Sequence, residues 1–326
     1  YNRSAQKDPV FFQELVTARG LRWLTAGLDN YFISRGEKIE ERRRAEGVYP
    51  REEIYIPNHY DWVNSCMEYE TDRRAREAKG QLKPGETGAG GVMGQVAVMA
   101  INGLLTKRIF DANPDHEFFV EESFALDWMY PYLTPYGIIM KINRTPLSMF
   151  TKEIIDRDHE FWTQYMDRLC GNWITYETSI TELCDFVTRT YLRGDFKGYR
   201  GDMKFLRDND AQKAFCKLRS AITGLYWWRM NYAKSAEEQQ MLSREAEFAA
   251  KQAFAMCPFS PEALLKLINI LAYQSKFDDA INLTVTSMRF DPENAGLADI
   301  LDKVVALKSG VESEARNQRM RQMEPA

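Results

Sequence analysis

The sequence predicts a mixed α/β fold in the first half of the chain and an all-helical fold in the second. Three segments of the first half, at 53–57, 117–121 and 137–143, are short runs of β-branched and aromatic residues next to proline, glycine or asparagine, which is typical of strands. Between the last two, residues 124–133 have apolar positions at helical spacing. Because two strands joined by a helix are the unit of a parallel sheet, we expect a small, mainly parallel sheet with flanking helices.

After Pro146 the strand signals disappear and helical patterns follow one another. Three segments carry apolar residues at helical spacing: 151–170, 179–193 and 211–232. The second of them begins with Ser179 and Glu182, which is the pattern of a capping box at a helix start. The sequence therefore predicts an α/β domain at 1–146 and a helical domain, built as a bundle, at 147–326.

The final third of the chain contains a repeat with a period of 34 residues. Three pairs of residues recur at that offset: Ala246 and Ala280, Ala253 and Ser287, and Pro258 and Pro292. Small residues where helices touch, with a proline before the next helix, are typical of the tetratricopeptide pattern. Ser260 followed by Pro261 favours a helix start between the two prolines. We therefore expect the bundle to end in tetratricopeptide-like helix pairs, at about 244–308, that bind a protein or peptide.

A loop rich in glycine and proline occupies 81–94, with helical patterns on either side at 61–79 and 95–110. It does not fit a phosphate-binding loop, because no lysine follows its glycines. It does not fit the dinucleotide fingerprint either, since Met93 stands where the third glycine is needed. We expect a mobile linker. A further helical pattern opens the chain at 8–20.

Composition and charge exclude several functions. The 326 residues carry a formal net charge of −4, with a pI near 5.7, so we expect no nucleic-acid partner. No apolar run approaches the roughly 18 residues that a membrane-spanning helix needs. The chain begins at Tyr1 rather than at methionine, so we expect it to be a processed product or a piece of a longer protein.

The cysteines and histidines indicate neither a disulfide framework nor a metal site. The five cysteines form no CxxC pair, and an odd number cannot all pair within one chain: Cys66, Cys170, Cys184, Cys216 and Cys257. Most of them lie in apolar helical segments, so we expect buried, free thiols. The three histidines are far apart in sequence: His59, His116 and His159. We expect no metal and no cofactor.

Four residues beyond the end of the strand predicted at 117–121 form a candidate ligand-binding site: Glu121, Glu122, Asp127 and Trp128. Ligands of parallel α/β sheets collect there because helix N-termini point at that space. The carboxylates could meet a cation, a sugar hydroxyl or a basic group of a partner. Alternatively, Ser123 caps the predicted helix, the acidic side chains favour its N-terminus, and Trp128 belongs to the core. Neither alternative assigns a catalytic residue.

Four long stretches carry a resemblance to a known family: GQVAVMAINGLLTKRIFD, NPDHEFFVEESFALDWMYPYLTPYGIIMKIN, RDHEFWTQYM and QKAFCKLRSAITGLY. In them, and over about 50–310, the chain resembles the soluble C-terminal part of large bacterial, verrucomicrobial-type membrane proteins. The membrane half of those proteins is similar to protein O-mannosyltransferases, which use a polyprenyl-phosphate-sugar donor. In that class the catalytic acid lies in the membrane half. The resemblance therefore implies no catalytic residue in this chain.

The resemblance implies a non-catalytic accessory or interaction domain of a membrane-embedded, glycosyltransferase-like protein, which binds an acceptor protein or a partner. It implies a location at the periplasmic face of the inner membrane, with this fragment soluble by itself. Whether the parent is an active transferase stays open. Two alternatives stay open. One is a free-standing tetratricopeptide-like scaffold, and the other is an enzyme that uses carboxylates at the sheet edge.

Overall fold

The computed structural model describes residues 54, 55, 57–83, 85, 86, 94–121 and 126–323, with the single residues 38, 42, 45 and 46 before them. This part of the chain is mostly helical, with nine α-helices and one small sheet. It divides into two compact units. The first contains the described residues up to His116 together with Leu126–Trp128, and the second contains the others. Compactness alone does not establish a domain, so the domains at 1–146 and 147–326 stay predictions. The helical pattern at 8–20 lies outside the described residues.

Two helices form the first unit, α1 (His59–Ala78) and α2 (Gln95–Ala112), close to the segments that the sequence predicts. A capping box fixes the start of α1, because Asn58 and Asp61 each accept a backbone hydrogen bond from the other. The core between the helices is apolar and is formed by Tyr69, Ala97, Ile101 and Leu105.

The strand predicted at 53–57 is wrong at the positions that the structure describes. Ile54, Tyr55 and Pro57 are in no strand. The backbone of Tyr55 instead exchanges hydrogen bonds with the side chain of Asn113, just after α2, at 2.8 and 3.3 Å. An asparagine side chain carries both a donor and an acceptor, so it can satisfy an extended residue as a neighbouring strand would.

The described part of the loop at 81–94 is attached to α1 through Glu86. The Glu86 carboxylate is almost fully buried and accepts hydrogen bonds from the Arg76 guanidinium, the Tyr69 hydroxyl and the backbone amide of Lys83. The Arg76 hydrogen bonds, with those from Lys83 and Tyr69, lower the pKa of Glu86 to about 2. One carboxylate therefore fastens this end of the loop.

The sheet opens the second unit, and its three strands are β1 (Phe118–Val120), β2 (Leu133–Tyr136) and β3 (Ile139–Ile142). They lie in the order β1-β3-β2, and both pairs are antiparallel, so the expectation of a mainly parallel sheet is wrong. Gly137, with a φ of +65°, and Ile138 form a two-residue turn between β2 and β3. A connection this short can only reverse the chain. Pro135 is tolerated inside β2 because β2 is an edge strand.

The crossover helix predicted at 124–133 is also wrong where the structure describes it. Residues 127–129 form a turn, and Tyr130–Tyr132 is a single turn of 3-10 helix that leads directly into β2. The apolar residues Leu126, Met129 and Leu133 are buried as their spacing suggests, but without a helix. Pro131 and Pro135 disfavour a continuous helix, since proline restricts the residue before it and lacks an amide hydrogen.

Seven helices follow the sheet: α3 (Lys152–Leu169), α4 (Ile180–Val187), α5 (Asn209–Asn231), α6 (Ala236–Met256), α7 (Pro261–Tyr273), α8 (Phe277–Met288) and α9 (Ala295–Met323). The central one is α6, which is buried throughout 245–256 and packs against α4, α5 and α7. The predicted capping box of Ser179 and Glu182 starts α4. Within the described residues, no helix is both long and apolar enough to cross a membrane.

A fully buried ion pair lies among α3, α5 and α6. Arg219 on α5 donates two hydrogen bonds to the Asp158 carboxylate on α3, at 3.0 and 2.8 Å. Its Nε donates to Gln252 on α6 at 2.8 Å, and the hydroxyl of Tyr226 donates to Asp158 at 3.0 Å. The guanidinium also lies 4.9 Å from the ring of Trp162. A single charge pair thus joins three helices.

A second buried arginine of α5 attaches the sheet. Arg229 donates to four backbone carbonyl oxygens, at 2.6 to 3.3 Å, in the residues Tyr130, Pro131, Leu133 and Leu147. Burial lowers the pKa of the Arg229 guanidinium. These carbonyl oxygens lie at or next to the edge strand β2. The Arg229 guanidinium supplies the hydrogen-bond donors that a neighbouring strand would otherwise provide. The position of the sheet on α5 depends on this side chain.

The last helices agree locally with the repeat pattern. Ser260 caps α7 and Pro261 is its first residue, as the sequence predicts. Ala246, Ala253 and Ala280 are fully buried, which is where the pattern puts small residues. The helix α7 packs against α6 and α8, and α8 packs against α9. The tetratricopeptide arrangement of these pairs stays a prediction.

We expect the first unit to lose stability in acid through Glu86. Since its folded pKa of about 2 lies below the ordinary value of 4.5, its contribution is complete above about pH 4.5 and is lost as the pH falls to about 2. Thermal melting across that range, for wild type and Glu86→Gln, should give a difference that disappears at low pH. The exposed Asp115→Asn serves as the control and should melt like wild type at each pH, because the Asp115 side chain makes no ion pair with a described residue.

We expect Arg219→Met to destabilise the protein by about 3–5 kcal/mol, because it leaves the Asp158 carboxylate buried without its counter-charge. Urea unfolding of both proteins measures the difference. The double variant Asp158→Leu, Arg219→Met should recover part of the loss, since no buried charge then remains. An Arg219→Met variant as stable as wild type would show that the pair does not hold the helices together.

We expect Ala280→Leu to destabilise the protein by about 1–3 kcal/mol, because the fully buried alanine has no room for three more carbons. Ala306 on α9 is exposed, so Ala306→Leu is the matched control and should melt as wild type does. If the two variants have the same melting temperature, Ala280 does not lie at a tight helix contact.

Candidate functional site

Two residues of the predicted site, Asp127 and Trp128, belong to the first unit. The Asp127 side chain is 98% exposed, with Lys83 Nζ 3.7 Å from its carboxylate. Trp128 is half-buried, donates from Nε1 to the hydroxyl of Thr106 at 3.1 Å, and packs on Phe110 with the ring centres 5.3 Å apart. Trp128 therefore covers α2, which agrees with the alternative that it belongs to the core.

The other two predicted residues are Glu121 and Glu122. Glu121 is exposed, follows β1 directly and belongs to the second unit. Glu122 lies outside the described residues. The structure therefore places Asp127 beside Trp128 and assigns Glu121 to a different unit. A ligand site that uses all four residues stays a prediction.

A cluster that the sequence did not reveal lies between α3 and α6. His159 Nε2 lies 2.6 Å from one oxygen of Glu245, and the Tyr176 hydroxyl donates to the other at 2.6 Å. Burial, together with the Glu245 carboxylate, raises the pKa of Tyr176. Phe248 packs against both rings, at 4.8 Å from His159 and 5.0 Å from Tyr176. Because both carboxylate oxygens are occupied, the cluster connects the helices rather than presenting a free base.

The cysteines and acidic residues form no metal site in the described part of the chain. All five cysteines are free, and four of them are buried. No group of three or more histidine, cysteine, aspartate or glutamate side chains in that part is placed to hold a metal ion. The Cys257 thiol lowers the pKa of the Cys216 thiol. Both are inaccessible to solvent, so neither can meet a substrate.

The candidate interaction surface is the exposed side of α7, which we call the α7 outer face and define by Glu262, Leu265, Asn269 and Tyr273. These residues are spaced three or four apart, so they form one stripe along the helix. Leu265 is 40% exposed and Tyr273 is 48% exposed. The Tyr273 ring lies 5.3 Å from that of Trp227 on α5, so the apolar surface continues onto the neighbouring helix.

Lys266 fixes the position of the α7 outer face. Its Nζ donates to the backbone carbonyl of Ser220 on α5 and to Glu262, each at 2.7 Å. The ammonium also lies 3.4 Å from the position that a Cβ would take on Gly224. A small residue on α5 thus leaves room for a lysine that joins the two helices. The α7 outer face therefore lies on rigid elements, so little conformational entropy is lost when a partner binds.

Comparisons with protein-family models, curated proteins and solved structures find no match. The α7 outer face could be found from the sequence. The apolar residues of α7 that recur at helical spacing define its buried side, and Leu265 and Tyr273 lie outside that set. The cluster of His159 could not, since its members are 69 and 86 residues from Glu245.

Proposed function

We propose that this chain is a non-catalytic interaction domain, through which a membrane-embedded, glycosyltransferase-like protein binds an acceptor protein or a partner at the periplasmic face of the inner membrane. The location and the parent protein rest on the sequence resemblance alone. The binding role is supported by the α7 outer face.

The single observation that carries the proposal is the exposure of Leu265 and Tyr273 on one helix, next to Trp227. Large apolar side chains grouped on a rigid surface favour protein contacts, since burying them on association is favourable. Tyrosine and tryptophan are the residues on which binding energy most often concentrates. Glu262 and Asn269 border the apolar residues and can hydrogen-bond to a bound segment. The partner expected here is a peptide or helix that presents an apolar stripe.

A free-standing interaction scaffold would use the same face, so the structure supports the binding role equally for both. The two differ in what precedes Tyr1. An upstream sequence with several apolar runs of roughly 20 residues each would favour the membrane-protein alternative.

We expect a photo-activatable amino acid at position 265 or 269 of the full-length protein to cross-link its partner in cells, because both positions lie on the α7 outer face. Binding of the captured partner to Tyr273→Ala should then be weaker by roughly tenfold or more, as at a tyrosine hot spot. Isothermal titration calorimetry measures this change.

Tyr232→Ala is the matched control, because Tyr232 is 66% exposed and packs on Trp228 rather than on the α7 outer face. It should bind the partner as wild type does. Equal weakening by both variants, or cross-links from a control position such as Arg157 but none from 265 and 269, would show that the α7 outer face is not the binding surface.

A further inference from the structure

The second unit contains a cavity of about 610 Å³, which is within the size range of small-molecule sites. It lies beside the end of α3, the π-helix Thr188–Leu192 that continues α4, and the loop at 195–200, with Arg289 beyond α8 on its wall. Helical turns of the π type are rare and occur often at functional sites. No residue of the α7 outer face lines this cavity.

The loop that forms one wall is held against α3 by a contact that only glycine permits. A Cβ at Gly201 would lie 2.3 Å from the carbonyl oxygen of Leu169, well inside van der Waals contact. The hydroxyl of Tyr199 donates to the same carbonyl oxygen at 2.6 Å. The backbone amide of Asp202 donates to the carbonyl oxygen of Arg168 at 2.9 Å. The cavity is therefore shaped before any ligand arrives, which lowers the entropy lost on binding.

Four arginines line the cavity, three of them between residues 189 and 200 and the fourth just after α8: Arg189, Arg193, Arg200 and Arg289. All are exposed, and within the described residues none of their guanidinium groups makes a hydrogen bond or an ion pair. Elsewhere in this unit, Arg219 and Arg244 bind carboxylates, and Arg229 binds carbonyl oxygens. A guanidinium fork matches two oxygens of a phosphate or carboxylate. Four guanidinium groups without a described partner therefore line one space, and their donors suit an oxyanion.

The same cavity is lined by four carboxylates: Asp167, Glu182, Asp185 and Asp195. Glu182 accepts hydrogen bonds from Ser179, and Asp195 accepts one from the backbone of Lys197. The side chains of Asp167 and Asp185 make none within the described residues. The charges of the four arginines and the four carboxylates cancel, so the cavity gives little electrostatic attraction to a ligand with several negative charges. A ligand that offers hydroxyls to the carboxylates and one oxyanion to the arginines uses both sets.

Aromatic side chains complete the lining. Trp173, Phe186 and Tyr199 all face the cavity, and the Trp173 and Phe186 rings are 4.6 Å apart. The Nε1 hydrogen of Trp173 is buried and has no acceptor in the described part of the chain. Aromatic faces favour flat or ring-shaped groups over extended ones.

We propose that this cavity binds a small ligand that combines a hydroxyl-bearing ring with one oxyanion group, such as a sugar phosphate or a mononucleotide. The arginines hold the oxyanion, the free carboxylates accept hydrogen bonds from the ring hydroxyls, and the ring packs on the aromatic residues. The α7 outer face plays no part, so this site is independent of the interaction function.

Calorimetric titration of the whole chain with four probes tests the site: glucose 6-phosphate, adenosine monophosphate, inorganic phosphate and glucose. We expect one or both ring-bearing phosphates to bind, and which of them binds more tightly identifies the source of the ring. Phosphate and glucose should each bind at least roughly tenfold more weakly, because each lacks half of the contacts. If neither ring-bearing phosphate binds, or if phosphate alone binds as tightly, the proposal is overturned.

The double variant Arg193→Ala, Arg289→Ala should weaken binding of the ring-bearing phosphate by roughly tenfold or more, because two charge-assisted contacts are lost. Arg157→Ala is the matched control, since Arg157 is exposed, lies on α3 and does not line the cavity. The variant Arg193→Lys, Arg289→Lys keeps the charge but loses the fork and should bind with intermediate affinity. It also serves if the alanine variant does not fold. Binding that neither double variant weakens would overturn the proposal.

Discussion

The buried ion pair of Asp158 and Arg219 is the interaction on which the second unit most depends. Taking two charges out of water is costly, and the cost is offset only while both partners and their further hydrogen bonds stay in place. Gln252 and Tyr226 supply those hydrogen bonds, from α6 and from α5 itself. Three helices must therefore keep one relative position, because any other arrangement leaves a charge unpaired in an apolar interior.

The helix α5 transmits this constraint to the rest of the unit. Its second buried arginine, Arg229, holds the carbonyl oxygens around β2 and so places the sheet. The helix α7 contacts α5 at Ser220, Gly224 and Trp227. The α7 outer face therefore stands on the same helix that the ion pair fixes. Asp158 lies in the first half of α3, and the C-terminal end of the same helix borders the cavity. The cavity therefore depends on the same helix packing.

The two proposed sites suit different kinds of ligand for a physical reason. The α7 outer face carries exposed apolar side chains and few charges, so a partner gains mainly by removing Leu265 and Tyr273 from water. The cavity is concave and lined by charged groups of both signs, so it discriminates by hydrogen-bond geometry. Neither site requires a metal or a catalytic group.

The sequence by itself determined the helices after Pro146, the caps at Ser179 and Ser260, and the buried alanines of the last third. Each of these is set by residues within one or two helical turns, where spacing and capping act locally. The tertiary structure alone decided the direction of the sheet, the missing crossover helix and the partners of Asp158, His159 and Arg229. Apolar spacing indicates which side chains are buried, but not which backbone hydrogen bonds their segment forms. Contacts between residues 60 to 100 positions apart leave no local pattern, because their energy exists only once the helices have packed.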